Sequence, residues 1–258
     1  MHVLNQKIES CGYVMVTMLA PEYAARISPI VERMCKHEPD GMIVCCGSLV
    51  LDKDLQTISE CGIPAVVLNE SPLFYPLDSI TIGVEQNVRL AVEHLLELGH
   101  KKIGYLGEYN SDGRYRSFCE LMNQEGLKVD PRFVKRGALR FEQGGYQMAC
   151  DLLKEEALPT AIITSYDQMA IGAVRAFKEH GIRVPEDISV VGFDNIVMDE
   201  YCHVALTSVT NPVEQMGITA VKILVDAIHH PSTHVIQNVS LQSRLVVRES
   251  TAALNEKK

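Results

Sequence analysis

The chain has 258 residues, a formal net charge of −9 at pH 7 and 47% hydrophobic content. That length and apolar content can build two compact lobes, while the acidic balance, with no basic cluster beyond two or three residues, excludes the chain by itself as a binder of phosphate backbones. No run of about 18 apolar residues occurs, and the opening "MHVLNQKIES" is polar where a signal peptide needs an apolar stretch, so a soluble protein that is not exported is expected.

Along the chain, short β-rich apolar runs alternate with helical periodicity, which is the pattern of βαβ units and parallel sheets. "VLNQKIESCG" reads as the second half of a helix closed by Gly12. A parallel-sheet unit places a strand before such a helix, so the chain begins in mid-unit. Strands are expected near 13–19, 41–46, 64–68, 79–83, 102–107, 133–137, 160–164, 188–192, 206–209 and 244–248, with helices between most of them. In "SYDQMAIGAVRAFKEHG", Asp167 takes the N-cap position, Met169, Ile171, Val174 and Phe177 follow at helical spacing, and Gly181 stops the helix. In "NPVEQMGITAVKILVDAI", Asn211 can cap, Pro212 fits the first turn, and Glu214 completes a capping box. Val213, Met216, Ala220, Val221, Leu224 and Ile228 then form one apolar stripe.

The eight cysteines, Cys11, Cys35, Cys45, Cys46, Cys61, Cys119, Cys150 and Cys202, are scattered, mostly among apolar neighbours, with no C-x-x-C pair. They fit free, buried thiols in a reducing cytosol. "HHPSTH" offers His229, His230 and His234 as metal ligands, but the first two close a helix, where cationic ends are favourable without any metal. Nucleophile-elbow, phosphate-loop, zinc-protease and dinucleotide motifs are all lacking, so neither an enzyme nor a cofactor is expected.

"PEDISVVGFDN" carries the chemistry. An apolar strand, Ile188 to Val191, runs through Gly192 and Phe193 into Asp194 and Asn195. A buried, unpaired carboxylate costs several kcal/mol, so Asp194 must meet water, a cation or a polar ligand. Two roles are open to it: a turn residue satisfying its own backbone, or a ligand acceptor.

From about residue 80 onward the strings "HLLELGHKKIGYLG", "LPTAIITSYDQMAIGAVRAFKEHGIRVPEDISVVGFDN", "LTSVTNPVEQMGITAVKIL" and "LVVREST" closely resemble the ligand-binding core of the lactose and galactose repressor (LacI/GalR) family of bacterial transcription regulators. "ESCGYVMV" and "PDGMIV" extend the likeness over nearly the whole chain. The resemblance implies two doubly wound α/β lobes of the periplasmic-binding-protein type joined by three crossovers, residues 1–82 with 210–236 and 83–209 with 237–258, holding a sugar-like or anionic effector in a cleft. It also implies a cytoplasmic homodimer that reaches DNA only through an N-terminal helix-turn-helix head. That head and the first strand of the N-terminal lobe are not visible here, which fits either a truncated product or a natural headless relative.

Carried over position by position, the resemblance places Arg114 of "DGRYRSFCE" on the ligand, against the alternative of a solvent-exposed arginine at a helix start. It places Asp194 on effector hydroxyls. Tyr166 falls where an asparagine usually touches the ligand, and Asp167 follows it. Arg140 stands where an aromatic ring often stacks on a sugar face, with Phe141 one position off; a second arginine there favours an acidic ligand. Asn69 takes a cleft position, and Gly83 replaces a frequent aspartate. A transport solute-binding protein of the same fold is the competing reading.

Overall fold

A computed structural model describes residues 2–19, 27–47, 52–70, 73, 75–109 and 112–254. In chain order the elements are α1 (His2–Ser10), α2 (Ser28–Cys35), β1 (Met42–Gly47), α3 (Asp52–Glu60), β2 (Ala65–Asn69), β3 (Asp78–Thr81), α4 (Val84–Glu97), β4 (Ile103–Glu108), α5 (Asp112–Gln124), β5 (Val134–Gly137) and α6 (Phe141–Leu152). They continue with β6 (Ala161–Thr164), α7 (Asp167–Glu179), β7 (Ser189–Asp194), β8 (Thr207–Thr210), α8 (Val213–His229), β9 (Asn238–Ser240) and β10 (Leu245–Val246). Two compact units result, residues 1–83 with 212–242 and residues 84–211 with 243–258. Residues 237–242 go with the first unit because β9 pairs with β3.

The first unit is a parallel sheet in the order β1-β2-β3-β9. Its strands β1 and β2 are apolar on both faces, as strands covered on both sides require. Val66 and Ile80 pack on Ala220, Ile223 and Leu224 of α8, while Ala65 and Val67 pack on Val31, Leu55 and Ile58 of α2 and α3. The strand expected at 13–19 does not form: those residues have no ladder partner among the described residues, and Val14, Val16 and Leu19 are exposed. An apolar stretch becomes a strand only where a neighbour accepts its backbone groups. The converse error is β9, whose three residues are too few and too polar to read as a strand.

The second unit has six strands in the order β10-β8-β7-β6-β4-β5, parallel except for the antiparallel β10. Ile162 and Val190 face α6 and α7, and Ala161, Ile163 and Val191 face α4 and α5. Phe118, Phe177 and Phe193 are essentially inaccessible, and each contributes roughly 1.5–3 kcal/mol relative to exposure. The described cysteine thiols are free but mostly half-buried rather than buried, and Cys45 is exposed; the Cys46 side chain lies outside the described residues. No helix among the described residues is long and apolar enough to cross a membrane.

Candidate functional site

In the second unit the strand order reverses at β4, with β5 on one side and β6 on the other. The loops after β4 and β6 therefore part, and ligands of open α/β sheets bind at such a point, outside the carboxyl ends of the strands. The polar groups gather there. Glu108 ends β4, Ser165 and Tyr166 follow β6, Asp194 ends β7 and Asn211 follows β8. Arg114 enters from the first turn of α5.

Arg114 is 8% exposed, so it is not the solvent-facing arginine that the sequence left open. Its Nη1 donates to the Ser165 carbonyl, Nη2 lies 3.4 Å from Asp194 Oδ1, and Cζ sits 5.1 Å from the Phe193 ring centroid. Asp194 has φ +104° and Asn195 has φ +49°. That left-handed turn carries the Asp194 carboxylate away from its own backbone, and a third of the side chain stays accessible. Burial pushes the Asp194 carboxyl up, and the Arg114 guanidinium and the Asn211 amide pull it back. Asn211 is therefore not a helix cap. Pro212 stands at the N-cap of α8 with no side-chain capping bond, and the predicted capping box does not form.

A second cluster adjoins the first through Tyr166, the residue after Ser165. The Tyr166 hydroxyl accepts a 2.9 Å hydrogen bond from the Phe141 N–H, holding Phe141 at φ +56°. The two rings lie 5.9 Å apart, tilted by 55°, and Phe141 is 41% exposed. Arg140 Nε lies 2.8 Å from Glu108 Oε2, and its Cζ is 4.8 Å from the Phe141 ring. Nearby, Arg136 Nη2 is 3.1 Å from Asp112 Oδ1. Arg114, Arg140 and Arg136 thus each have a carboxylate partner.

Asp167 lies behind this wall. It is the first residue of α7 rather than its cap, is 1% exposed, and accepts from Ser208 Oγ at 2.7 Å and the Ile196 N–H at 3.1 Å. Competing donors from β8 and the turn after β7 take the carboxylate that would otherwise cap the helix. Asn69 ends β2 in the first unit, opposite Thr81 of β3. The structure therefore brings Arg114 together with Asp194, and Tyr166 with Arg140 through Phe141. Sequence reasoning missed Glu108 and Asn211. For Glu108 a signal existed: "KKIGYLGE" ends an apolar strand on a carboxylate just as "ISVVGFD" does. His234 is not poised for a metal, since it pairs with Asp78 and Asp226.

Residues 92–251 match a family model described as a periplasmic binding protein-like domain. The HTH-type transcriptional repressor PurR of Haemophilus influenzae (strain PittEE) is 32% identical over 259 residues, which span 98% of this chain and 76% of that protein. The PurR of Pasteurella multocida (strain Pm70) is 30% identical over 96% of this chain and 75% of its own length. Among solved structures, a LacI family transcriptional regulator from Enterococcus faecium with bound ribose superposes with a TM-score of 0.82 at 26% identity, covering 98% of this chain and 92% of that one. The lac repressor dimer bound to operator and the anti-inducer ONPF gives 0.85 at 25% identity, covering 98% and 88%.

Proposed function

The chain belongs to the LacI/GalR family of bacterial transcription regulators as their effector-binding core, and from that premise we propose that it senses an uncharged, hydroxyl-bearing small molecule at the Arg114–Asp194 end of the second unit. The charge balance carries this reading. Arg114, Arg140 and Arg136 are matched by Asp194, Glu108 and Asp112, so none of these three arginines is a surplus cation for a phosphate or an acid. What remains is a carboxylate that accepts from hydroxyls, a guanidinium that donates to a neighbouring oxygen, and the half-exposed Phe141 face for an apolar ring surface. Ribose and cellobiose, bound by two neighbouring structures, have that chemistry.

In this reading Asn69 also contributes, and ligand binding alters the second readout, DNA binding by paired helix-turn-helix heads in a homodimer. Binding transmits a signal only because the two forms of the protein differ in affinity. The test is thermal-shift fluorimetry against sugars, sugar phosphates, sugar acids and nucleosides. A ligand at 100 times its Kd stabilises by about 2.7 kcal/mol. Uncharged sugars or nucleosides should raise the melting temperature, and Asp194→Ala, which lowers the unliganded melting temperature by leaving the buried Arg114 without its carboxylate, should abolish that shift. A response confined to phosphorylated or acidic compounds, or one that survives in Asp194→Ala, refutes the assignment.

A further inference from the structure

Behind Asp194 two carboxyl groups meet out of water. Asp167 is 1% exposed and Asp199 0%, and their carboxyl groups come within hydrogen-bonding reach of each other. Ser208 Oγ and the Ile196 N–H already donate to the two oxygens of Asp167. Neither oxygen of Asp199 has a hydrogen bond of good geometry among the described residues, and the one backbone donor that bears on it is the Ile196 N–H, which Asp167 also uses. The nearest cation, Arg248, is 4.0 Å from Asp199 Oδ2 and is committed elsewhere, to the Leu206 carbonyl at 2.7 Å, Asn195 Oδ1 at 2.8 Å and Glu200 Oε1 at 3.2 Å. Two ionised carboxylates in contact repel, whereas one proton between them makes a hydrogen bond and supplements the weak donor that Asp199 has in the Ile196 N–H.

We propose that Asp167 and Asp199 share one proton, and that this acid pair is the latch that holds the Asp194–Ile196 turn in its ligand-facing form. Both are positioning residues. The turn needs a latch because two successive residues with side chains stand in the left-handed region, a conformation that persists only where the surroundings dictate it. The surroundings trace back to the pair. Ile196 N–H donates to Asp167, and Asn195 N–H donates at 3.0 Å to Ser208 Oγ, which itself donates to Asp167. Asp199 lies in the 3-10 turn Val197–Glu200 immediately downstream. Gly192 of β7 makes room, since a Cβ there would overlap Asp167 Oδ1.

Burial pushes the Asp167 carboxyl up to about 9, contact with Asp199 adds to the push, and Ser208 and the Ile196 amide oppose it. Burial also raises Asp199, against Asp167 and Arg248. The other titratable groups facing the pair are Asp194 from β7, which disfavours charge on Asp199, and the Cys202 thiol, itself pushed up by burial and by both carboxylates. An opened turn returns Asp167 to an ordinary carboxylate. Opening therefore releases a proton at any pH between about 4 and about 9, grows about tenfold easier per pH unit across that window, and levels off above it.

The role in ligand binding rests on the reading of Asp194 above; the latch is tested without ligand, so the two can fail separately. Hydrogen exchange of the peptide spanning 194–204 is measured from about pH 6 to about pH 10, each rate divided by that of an unstructured chain at the same pH. Protection in the unsubstituted protein should fall about tenfold per unit and flatten above about 9. In Asp199→Asn, whose amide donates permanently to Asp167 and removes the repelling charge while burial remains, the decline should end at a lower pH. A level profile in the unsubstituted protein, or an equal decline in Asp199→Asn, overturns the proposal. Should Asp199→Asn not fold, infrared spectroscopy decides: a protonated-carboxyl band present at neutral pH, retained in Asp194→Asn and lost at alkaline pH, is expected, and its absence at neutral pH overturns the acid pair.

Discussion

Neutral imidazole carries one N–H, so a ring whose two nitrogens both face carboxylates carries two. His234 is such a ring: Nδ1 lies 2.8 Å from Asp226 Oδ2 and Nε2 lies 2.9 Å from Asp78 Oδ2. Hydrogen bonding to Asp226, and then to Asp78, raises its pKa above the ordinary 6.5. Asp78 also accepts from the Gln237 N–H at 2.8 Å, so one cation ties the segment before β9 to the first residue of β3. A raised imidazole pKa contributes its stability in full below pH 6.5 and loses it as pH rises through the raised value. The melting temperature should therefore decline over that window in the unsubstituted protein and decline less in His234→Gln. Parallel curves would assign the ring no more than packing.

At the scale of elements, α6 and α7 touch backbone to backbone. A Cβ on Gly145 would overlap the Met169 carbonyl, and one on Gly172 would overlap the Glu142 carbonyl. Gly145→Ala gains up to about 1 kcal/mol in helix propensity, but the collision is with rigid backbone and costs about 1–3 kcal/mol or more. The collision wins, and chemical denaturation should show a net loss of about 1–2 kcal/mol, with a neutral or stabilised variant contradicting so close a packing. These glycines illustrate what a sequence conceals. "FEQGGYQM" displays two glycines inside a helix without showing what approaches them. Strand and helix positions were legible because apolar runs and 3.6-residue stripes are local properties. Asp167 and Asn211 were misread as caps for the opposite reason: the partners that redirect Asp167 lie 29 and 41 residues further on, and Asn211 turns to Asp194. The stretch at 13–19 was misread because pairing, unlike hydropathy, belongs to two segments at once. Asp194 was legible, since a carboxylate at the end of a buried strand demands an explanation wherever the strand lies.

The whole molecule presents apolar side chains that no contact among the described residues covers. In the 3-10 turn Val197–Glu200 after β7 and at the residue that follows it, Val197 is 79%, Met198 57% and Tyr201 75% exposed, which groups three large apolar side chains in solvent. On the homodimer reading proposed above, we expect a second copy to cover this turn. Met198→Asp should then shift the protein from dimer to monomer in sedimentation analysis, and an unsubstituted protein that stays monomeric at micromolar concentration would dispose of the idea.

Under the proposed function, the pairing of Arg114, Arg136 and Arg140 with carboxylates bears on timing as well as on selectivity. Fields that guide ligands inward come from unbalanced charge and fade with ionic strength over about 10 Å at 0.1 M salt. A balanced pocket receiving an uncharged visitor relies on diffusion alone, so the rate of capture stays the same in dilute and in salty surroundings. A sensor built this way reports how much effector is present and ignores how much potassium accompanies it.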